Sequence, residues 1–239
     1  MLRGVEFLHA MWVLHRDLKP NNLLIDRNGV LKIGDFGLAK VYASPKRDYT
    51  STVVTLWYRS PELLFGCTQY TGAVDIWAIG CILAELLLRQ PFLTAETDLG
   101  QLKTIFQVRG TPIEKDWPGV TKLSGYLKFQ EMKEVPLSTY FSAASENLLE
   151  LISGMLTINP LHRSTAKEAL MSSYFFDEPR PSLPANLPMP AVAQEVGDGD
   201  GEENDEEKAA GARGVKRKHG QAGPSTSVQS LKTGKRLVF

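Results

Sequence analysis

His15-Arg16-Asp17-Leu18-Lys19-Pro20-Asn21-Asn22 is the stretch that decides the fold, and Asp35-Phe36-Gly37 follows thirteen residues after its last Asn. Between them lie two short apolar runs, Leu23-Leu24-Ile25 and Val30-Leu31-Lys32-Ile33, separated by Asn28-Gly29. Asn-Gly tolerates the positive φ angles of a tight turn, so the pattern predicts a β-hairpin. A hairpin would return Asp35 to the end where Asn22 sits. The set then holds a carboxylate to orient a hydroxyl (Asp17), a cation for a phosphate (Lys19) and two oxygen ligands for magnesium (Asn22, Asp35). These are the few parts that phosphoryl transfer asks of a protein.

Outward from this centre, residues 1–10 carry Leu2, Val5, Phe7 and Leu8 at near-helical spacing and read as a helix end with no Ser, Asp or Asn to cap it. The missing cap leads to the expectation that something upstream is absent. Residues 40–60 are polar, rich in Ser, Thr and Tyr and without a period, which predicts a loop closed by Ser60-Pro61-Glu62. Residues 73–89 are apolar nearly all round and predict a buried helix. Further helices are expected over 98–108, capped by Asp98 and stopped by Gly110 and Pro112, over 145–156 with Ser145 as cap, and over 164–171 with Ser164 as cap and Glu168 near capping-box spacing.

At Asp177 the composition changes. Five prolines fall between Pro179 and Pro190, eight acids lie between Glu195 and Glu207, and eight Lys or Arg lie between Lys208 and Arg236. Blocks of like charge repel themselves and bury little, so 177–239 is expected to be a disordered tail. Its basic clusters, Lys216-Arg217-Lys218 and Lys235-Arg236, are candidate nuclear-import signals, with simple solubility as the alternative.

The whole chain has 239 residues and balances 27 Lys and Arg against 27 Asp and Glu, which gives no general case for direct nucleic-acid binding. Two cysteines, Cys67 and Cys81, without metal-ligand spacing and without a signal peptide, predict a reducing, intracellular setting. The longest apolar run contains Asp75 and Glu85, so no membrane span is expected.

These motifs resemble those of eukaryotic protein kinases over about 1–176, and Lys19 after Asp17 is similar to the serine/threonine class. Tyr49-Thr50-Ser51-Thr52-Val53-Val54-Thr55-Leu56-Trp57-Tyr58-Arg59-Ser60-Pro61-Glu62 resembles the activation segment of the cyclin-dependent group. Gly110-Thr111-Pro112 with Trp117-Pro118-Gly119 resembles that group's insert, and the Thr-x-Tyr of mitogen-activated kinases is absent. Within the group the similarity is to its CDK-activating branch, through Glu62-Leu63-Leu64-Phe65-Gly66, residues 81–89 and Phe141-Ser142-Ala143-Ala144. Ser60 departs from the usual Ala, and Gly34 stands at a variable position.

The resemblance implies a mainly α fold: a protein-kinase C-terminal lobe over 1–176 with a short β-hairpin at the catalytic loop and the N-terminal lobe absent. It implies an ATP-dependent, proline-directed kinase acting on Ser/Thr-Pro sites, including the repeated tail of RNA polymerase II and other cyclin-dependent kinases. A cyclin, an assembly factor and a general transcription factor complex are the implied partners, ATP and Mg2+ the cofactors, and the nucleus the location. Asp17 would be the catalytic base, Lys19 would meet the transferred phosphate, Asn22 and Asp35 would hold magnesium, Thr55 would bridge Asp17 and Lys19, and Leu24 would floor the adenine. Thr50 and Ser44 would be regulatory phosphorylation sites, with Arg16 and Lys40 gripping a phosphate on Thr50. Asp75 would accept backbone N–H bonds from the catalytic loop, and Glu62 would pair with Arg163.

No Gly-rich loop, strand Lys or partnering helix Glu precedes these motifs, and the group's cyclin-binding helix is missing too. The chain alone is therefore expected to be inactive: a fragment, a start assigned at an internal Met, or a short isoform. A non-catalytic module that competes for substrates or assembly partners stands as the alternative.

Overall fold

The computed structural model describes residues 1–42, 48–51 and 53–187. Through residue 187 they form one compact unit. The elements in order are α1 (Leu2–Ala10), β1 (Val13–Leu14), β2 (Leu23–Ile25), β3 (Leu31–Ile33), β4 (Lys40–Val41), α2 (Pro61–Leu64), α3 (Ala73–Leu88), α4 (Asp98–Arg109), α5 (Glu146–Met155) and α6 (Ala166–Leu170).

The centre of the core is α3, whose residues from Val74 to Ile82 are all buried. Burying side chains the size of Ile76, Trp77, Ile79 and Ile82 is worth roughly 2 kcal/mol each, which is why this segment organises the rest. It packs on α5, while α1 lies along α6 and α2 meets α4. Gly80 permits the close approach to α5's end, since a Cβ there would sit 2.8 Å from Leu156 Cδ2 and 3.1 Å from Met155 Cβ. The last turn differs from the expected all-round burial: Leu86 and Leu87 face solvent, and Arg89 ends the helix in the left-handed region at φ 56°.

The predicted hairpin forms with Leu23 opposite Ile33, Leu24 opposite Lys32 and Ile25 opposite Leu31. Its connection is five residues, 26–30, rather than a two-residue Asn-Gly turn. Asp26 Oδ1 accepts from Asn28 N and Val30 N, and Gly29 alone takes positive φ, at 74°. A second two-stranded sheet, unforeseen from sequence, pairs Val13 with Val41 and Leu14 with Lys40. Thus 40–60 is not wholly a loop: it holds β4 and a 3₁₀ turn at Leu56–Tyr58.

Two helix N-caps sit one residue from expectation. Thr97, not Asp98, caps α4, its hydroxyl accepting from Gly100 N; Asp98 lies in the first turn and pairs with Arg59 instead. Thr165, not Ser164, caps α6 and completes a capping box with Glu168. Ser145 caps α5 as expected, and Met1 stands at the N-cap of α1 without a side-chain cap. Residues 178–187, grouped with the tail on composition, are described: they lead through irregular backbone into a 3₁₀ turn at Pro184–Asn186 that meets the hairpin. The tail from 188 onward, its basic clusters, and Ser44 lie outside the described residues.

Candidate active site

The loop from His15 to Asn22 is held from beneath by α3. Asp75, fully buried, accepts from His15 N at 3.0 Å and Arg16 N at 2.8 Å, as the sequence suggested. His9 of α1, which sequence reading missed, adds its Nε2 at 2.9 Å from Asp75 Oδ2. A buried carboxylate needs this many partners to offset its lost hydration. His15 continues the lattice: its Nε2–H donates to Gly34 O at 3.0 Å, and its Nδ1 accepts from Asp17 N at 3.3 Å. One imidazole therefore ties the loop to the strand end that leads into Asp35.

Above this floor the predicted residues converge. Lys19 Nζ lies 2.7 Å from Asp17 Oδ2 and 3.2 Å from Thr55 Oγ1, whose hydroxyl donates to Asp17 Oδ1 at 3.2 Å. Asn22 Nδ2 donates to Asp17 O at 2.7 Å and to Asp17 Oδ2 at 3.2 Å. Burial alone would raise the Asp17 pKa, but the hydrogen bond and charge of Lys19, with Thr55 and Asn22, outweigh it and hold the carboxyl below its ordinary range. Asp17 is a carboxylate at neutral pH, its Oδ2 accepting from Lys19 and Asn22 and its Oδ1 from Thr55.

Asp35 arrives from the other strand. Gly34 N donates to Asn22 O at 2.8 Å, which brings the two ends of the hairpin together, and Asp35 itself adopts φ 57°. Among the described residues its exposed carboxylate accepts only from Gly37 N, at 3.2 Å. Asn22 uses its amide N–H groups on Asp17, and no hydrogen bond among the described residues uses its Oδ1. Two hard oxygen donors at one end of a hairpin fit Mg2+, which binds through one or two protein oxygens and keeps several waters. Among the described residues no cluster of three His, Cys, Asp or Glu forms a metal site of its own. Leu24 is exposed on β2, uncovered at the position given to the adenine floor.

Of the two residues expected to grip a phosphate, Arg16 is engaged within the chain and Lys40 is exposed. Arg16, at φ 67°, donates through Nε to Leu38 O at 2.8 Å and through Nη1 to Tyr70 Oη at 2.9 Å. Tyr70 in turn donates to Thr50 O at 2.8 Å, so Arg16 reaches Thr50 through a tyrosine that sequence reading did not single out. Lys40 is exposed on β4 and Thr50 is exposed beside Tyr49.

Two further residues were missed. Val54, β-branched, sits at φ 69°, a backbone conformation such residues rarely adopt. Arg59 holds it there, with Nη2 donating to Val54 O at 3.0 Å, Nε to Val53 O at 3.0 Å and Nη1 paired with Asp98 at 2.9 Å. Beneath them Glu62 and Arg163 form the expected ion pair, bidentate at 2.7 and 2.9 Å and buried on both sides. Arg163 also donates to Thr157 O, Ala73 O and Ile158 O and stacks over Trp77 at 5.0 Å.

Residues 1–175 match the protein kinase domain model. Cyclin-dependent kinase 7 of Xenopus laevis is 56% identical over 195 residues, which cover 82% of this chain and 55% of that protein. Cyclin-dependent kinase D-1 of Oryza sativa subsp. japonica is 51% identical over 190 residues, 80% of this chain and 45% of that protein. The chain thus spans about half the length of these curated relatives. Among solved structures, one of the CAK complex of Chaetomium thermophilum bound to ATP-γ-S superposes with a TM-score of 0.76 at 40% identity, covering 78% of this chain and 59% of that one. One of the yeast RNA Pol II CTD kinase CTDK-1 complex gives 0.73 at 38% identity, covering 77% and 62%. The fold is protein-kinase-like, the similarity runs to the cyclin-dependent kinases, and the chain belongs to the protein kinase family.

Proposed function

We propose that this chain carries the C-terminal lobe of an ATP-dependent serine/threonine kinase of the cyclin-dependent group. The observation that carries the reading is the convergence of Lys19, Thr55 and Asn22 on the Asp17 carboxylate, with Asp35 returned beside them by the hairpin. In this reading Asp17 orients a substrate hydroxyl and takes its proton as the oxygen–phosphorus bond forms and the bond to the leaving nucleoside diphosphate breaks. Lys19 shifts its charge from Asp17 to the transferred phosphate, and Thr55 keeps the two aligned. Asn22 and Asp35 would hold Mg2+, which would supply charge neutralisation for the transfer. Leu24, exposed on β2, is the floor for the adenine.

Proline direction follows from Val54 and Arg59. Because Arg59 already donates to the Val54 carbonyl, that oxygen is a poorer acceptor for the N–H after the phosphorylated residue of an extended substrate. Proline has no N–H to leave unsatisfied. Phosphate on Thr50 would add a dianion for Arg16 and Lys40 to grip, and Ser44, outside the described residues, is a second regulatory phosphorylation site.

The relatives are named as cyclin-dependent kinases, and the structural neighbours come from a CAK complex and an RNA polymerase II CTD kinase complex. These names support a cyclin and an assembly factor as partners, a general transcription factor complex as setting, Ser/Thr-Pro proteins as substrates and the nucleus as location. The 239 residues contain no Gly-rich phosphate loop, so they are expected to transfer negligible phosphate by themselves. The reading is tested in a kinase completed with a Gly-rich-loop lobe and its cyclin: Asp17→Asn abolishes transfer to a Ser-Pro peptide, and Arg59→Ala narrows the preference for Ser-Pro over Ser-Ala. Transfer that survives Asp17→Asn would refute it.

A further inference from the structure

We propose that residues 183–187 are a strap that positions the metal-binding hairpin, with Pro184 and Gly29 as its contact point; the word metal-binding rests on the function proposed above. A Cβ at Gly29 would fall 1.9 Å from Pro184 O, 2.6 Å from its carbonyl carbon and 3.2 Å from its Cα. With a carbon–carbon bond of about 1.5 Å, the Gly29 Cα and Pro184 O are about 3.4 Å apart at most, a Cα–H···O contact between two backbones. Pro184 belongs to the 3₁₀ turn, which Leu187 N closes onto the same carbonyl at 3.1 Å.

The segment is anchored at its other end as well. Asn147 of α5 donates to Asp177 Oδ2 at 2.7 Å, so the chain leaves the packed body at Asp177 and touches it again at the hairpin tip. Every residue of 178–187 is exposed. The strap therefore buries little of itself and contributes through where it touches.

That place matters because the hairpin is short. Three residue pairs join β2 to β3, and Leu24, Val30 and Leu31 are exposed; a two-stranded hairpin is marginal in water without something packed on it. Its base is held, by Ile33 against Gly4 of α1 and by His15 at Gly34 O. Its tip is rigid within itself, through the two backbone N–H bonds to Asp26, and Pro184 lies against that tip. With the base held, the contact at the tip limits fraying of the two strands, whose ends lead directly to Asn22 and Asp35. Pro184 is thus a positioning residue.

Hydrogen exchange of the whole chain, followed residue by residue with the Asn22 side-chain amide included, tests this. Replacing 183–187 by Gly-Ser-Gly-Ser-Gly is expected to speed exchange of the backbone amides of 28–34 and of the Asn22 side chain at least tenfold, leaving α3 and α5 unchanged. Gly29→Ala is expected to reproduce the loosening, and the two changes together to give less than the product of their separate effects. Unchanged exchange in 28–34 overturns the strap, and equal acceleration throughout the chain overturns its positioning role. Neither reading involves phosphoryl transfer, so a failed kinase assay leaves this result standing.

Discussion

Replacing Arg163 by Met leaves Glu62 ionisable, buried and without its bidentate partner. Both side chains are almost fully shielded, at 0% and 3% exposure, so the usual discount for an exposed pair does not apply. Breaking a buried pair by removing one partner costs about 3–5 kcal/mol, chiefly the charge left behind. Arg163 also serves three backbone carbonyls and covers Trp77, while Met recovers some of its volume. We expect a loss of about 4 kcal/mol, measured by urea denaturation of the 239-residue chain. At about 2–4 °C per kcal/mol for a domain of this size, the Tm falls by roughly 8–16 °C. Glu62→Gln added to Arg163→Met is expected to recover part of the loss, because it removes the orphaned charge. A loss below about 1 kcal/mol, the value of a solvent-exposed pair, would refute the claim that this ion pair ties α2 to the segment before α6.

Asp75→Asn offers one acceptor oxygen where the His15 and Arg16 N–H groups use two; a loss of about 2–3 kcal/mol is expected, with faster exchange at those two amides, and wild-type protection there would contradict it. Thr97→Ala should cost about 1 kcal/mol as a lost helix cap, and Asp98→Ala less; the reverse order in denaturation would restore Asp98 as the cap. The Asp17 carboxyl carbon, followed by NMR, should titrate below about 3.9, the ordinary value. Because this pKa is depressed on folding, its stabilisation is complete above the unfolded value and is lost as pH falls through the folded one. Lys19→Met should move the midpoint up, since burial then acts against weaker opposition, and an unmoved midpoint would show that Lys19 does not set it.

Local patterns made much of the fold legible. The apolar run of α3, the hairpin and the Ser145 cap each depend on near neighbours in sequence. The helix caps at Thr97 and Thr165 were displaced by one residue because Asp98 and Ser164 are equally good cap chemistry, and only backbone φ and ψ choose between adjacent candidates. The pairing of β1 with β4 joins residues too short as runs to signal a strand. His9, Tyr70 and Arg59 carry their roles across 66, 54 and 39 positions to Asp75, Arg16 and Asp98, and no single-sequence periodicity reports such contacts. Resemblance to kinases supplied Asp17, Lys19, Asn22, Asp35, Asp75 and the Glu62–Arg163 pair. The Gly29–Pro184 contact had no sequence signal beyond a glycine in a turn.

The central claim, that Asp17 and its neighbours form a phosphoryl-transfer site, is tested most directly by joining this chain to the part of Xenopus laevis cyclin-dependent kinase 7 that lies outside the matched 55% of that protein. The chimera, supplied with cyclin, ATP and Mg2+, is assayed for phosphate transfer to a Ser-Pro peptide. The account predicts transfer that falls at least a thousandfold in the Asp17→Asn chimera with cyclin binding retained. A folded, cyclin-bound chimera that transfers no phosphate, or one indifferent to Asp17→Asn, would contradict it.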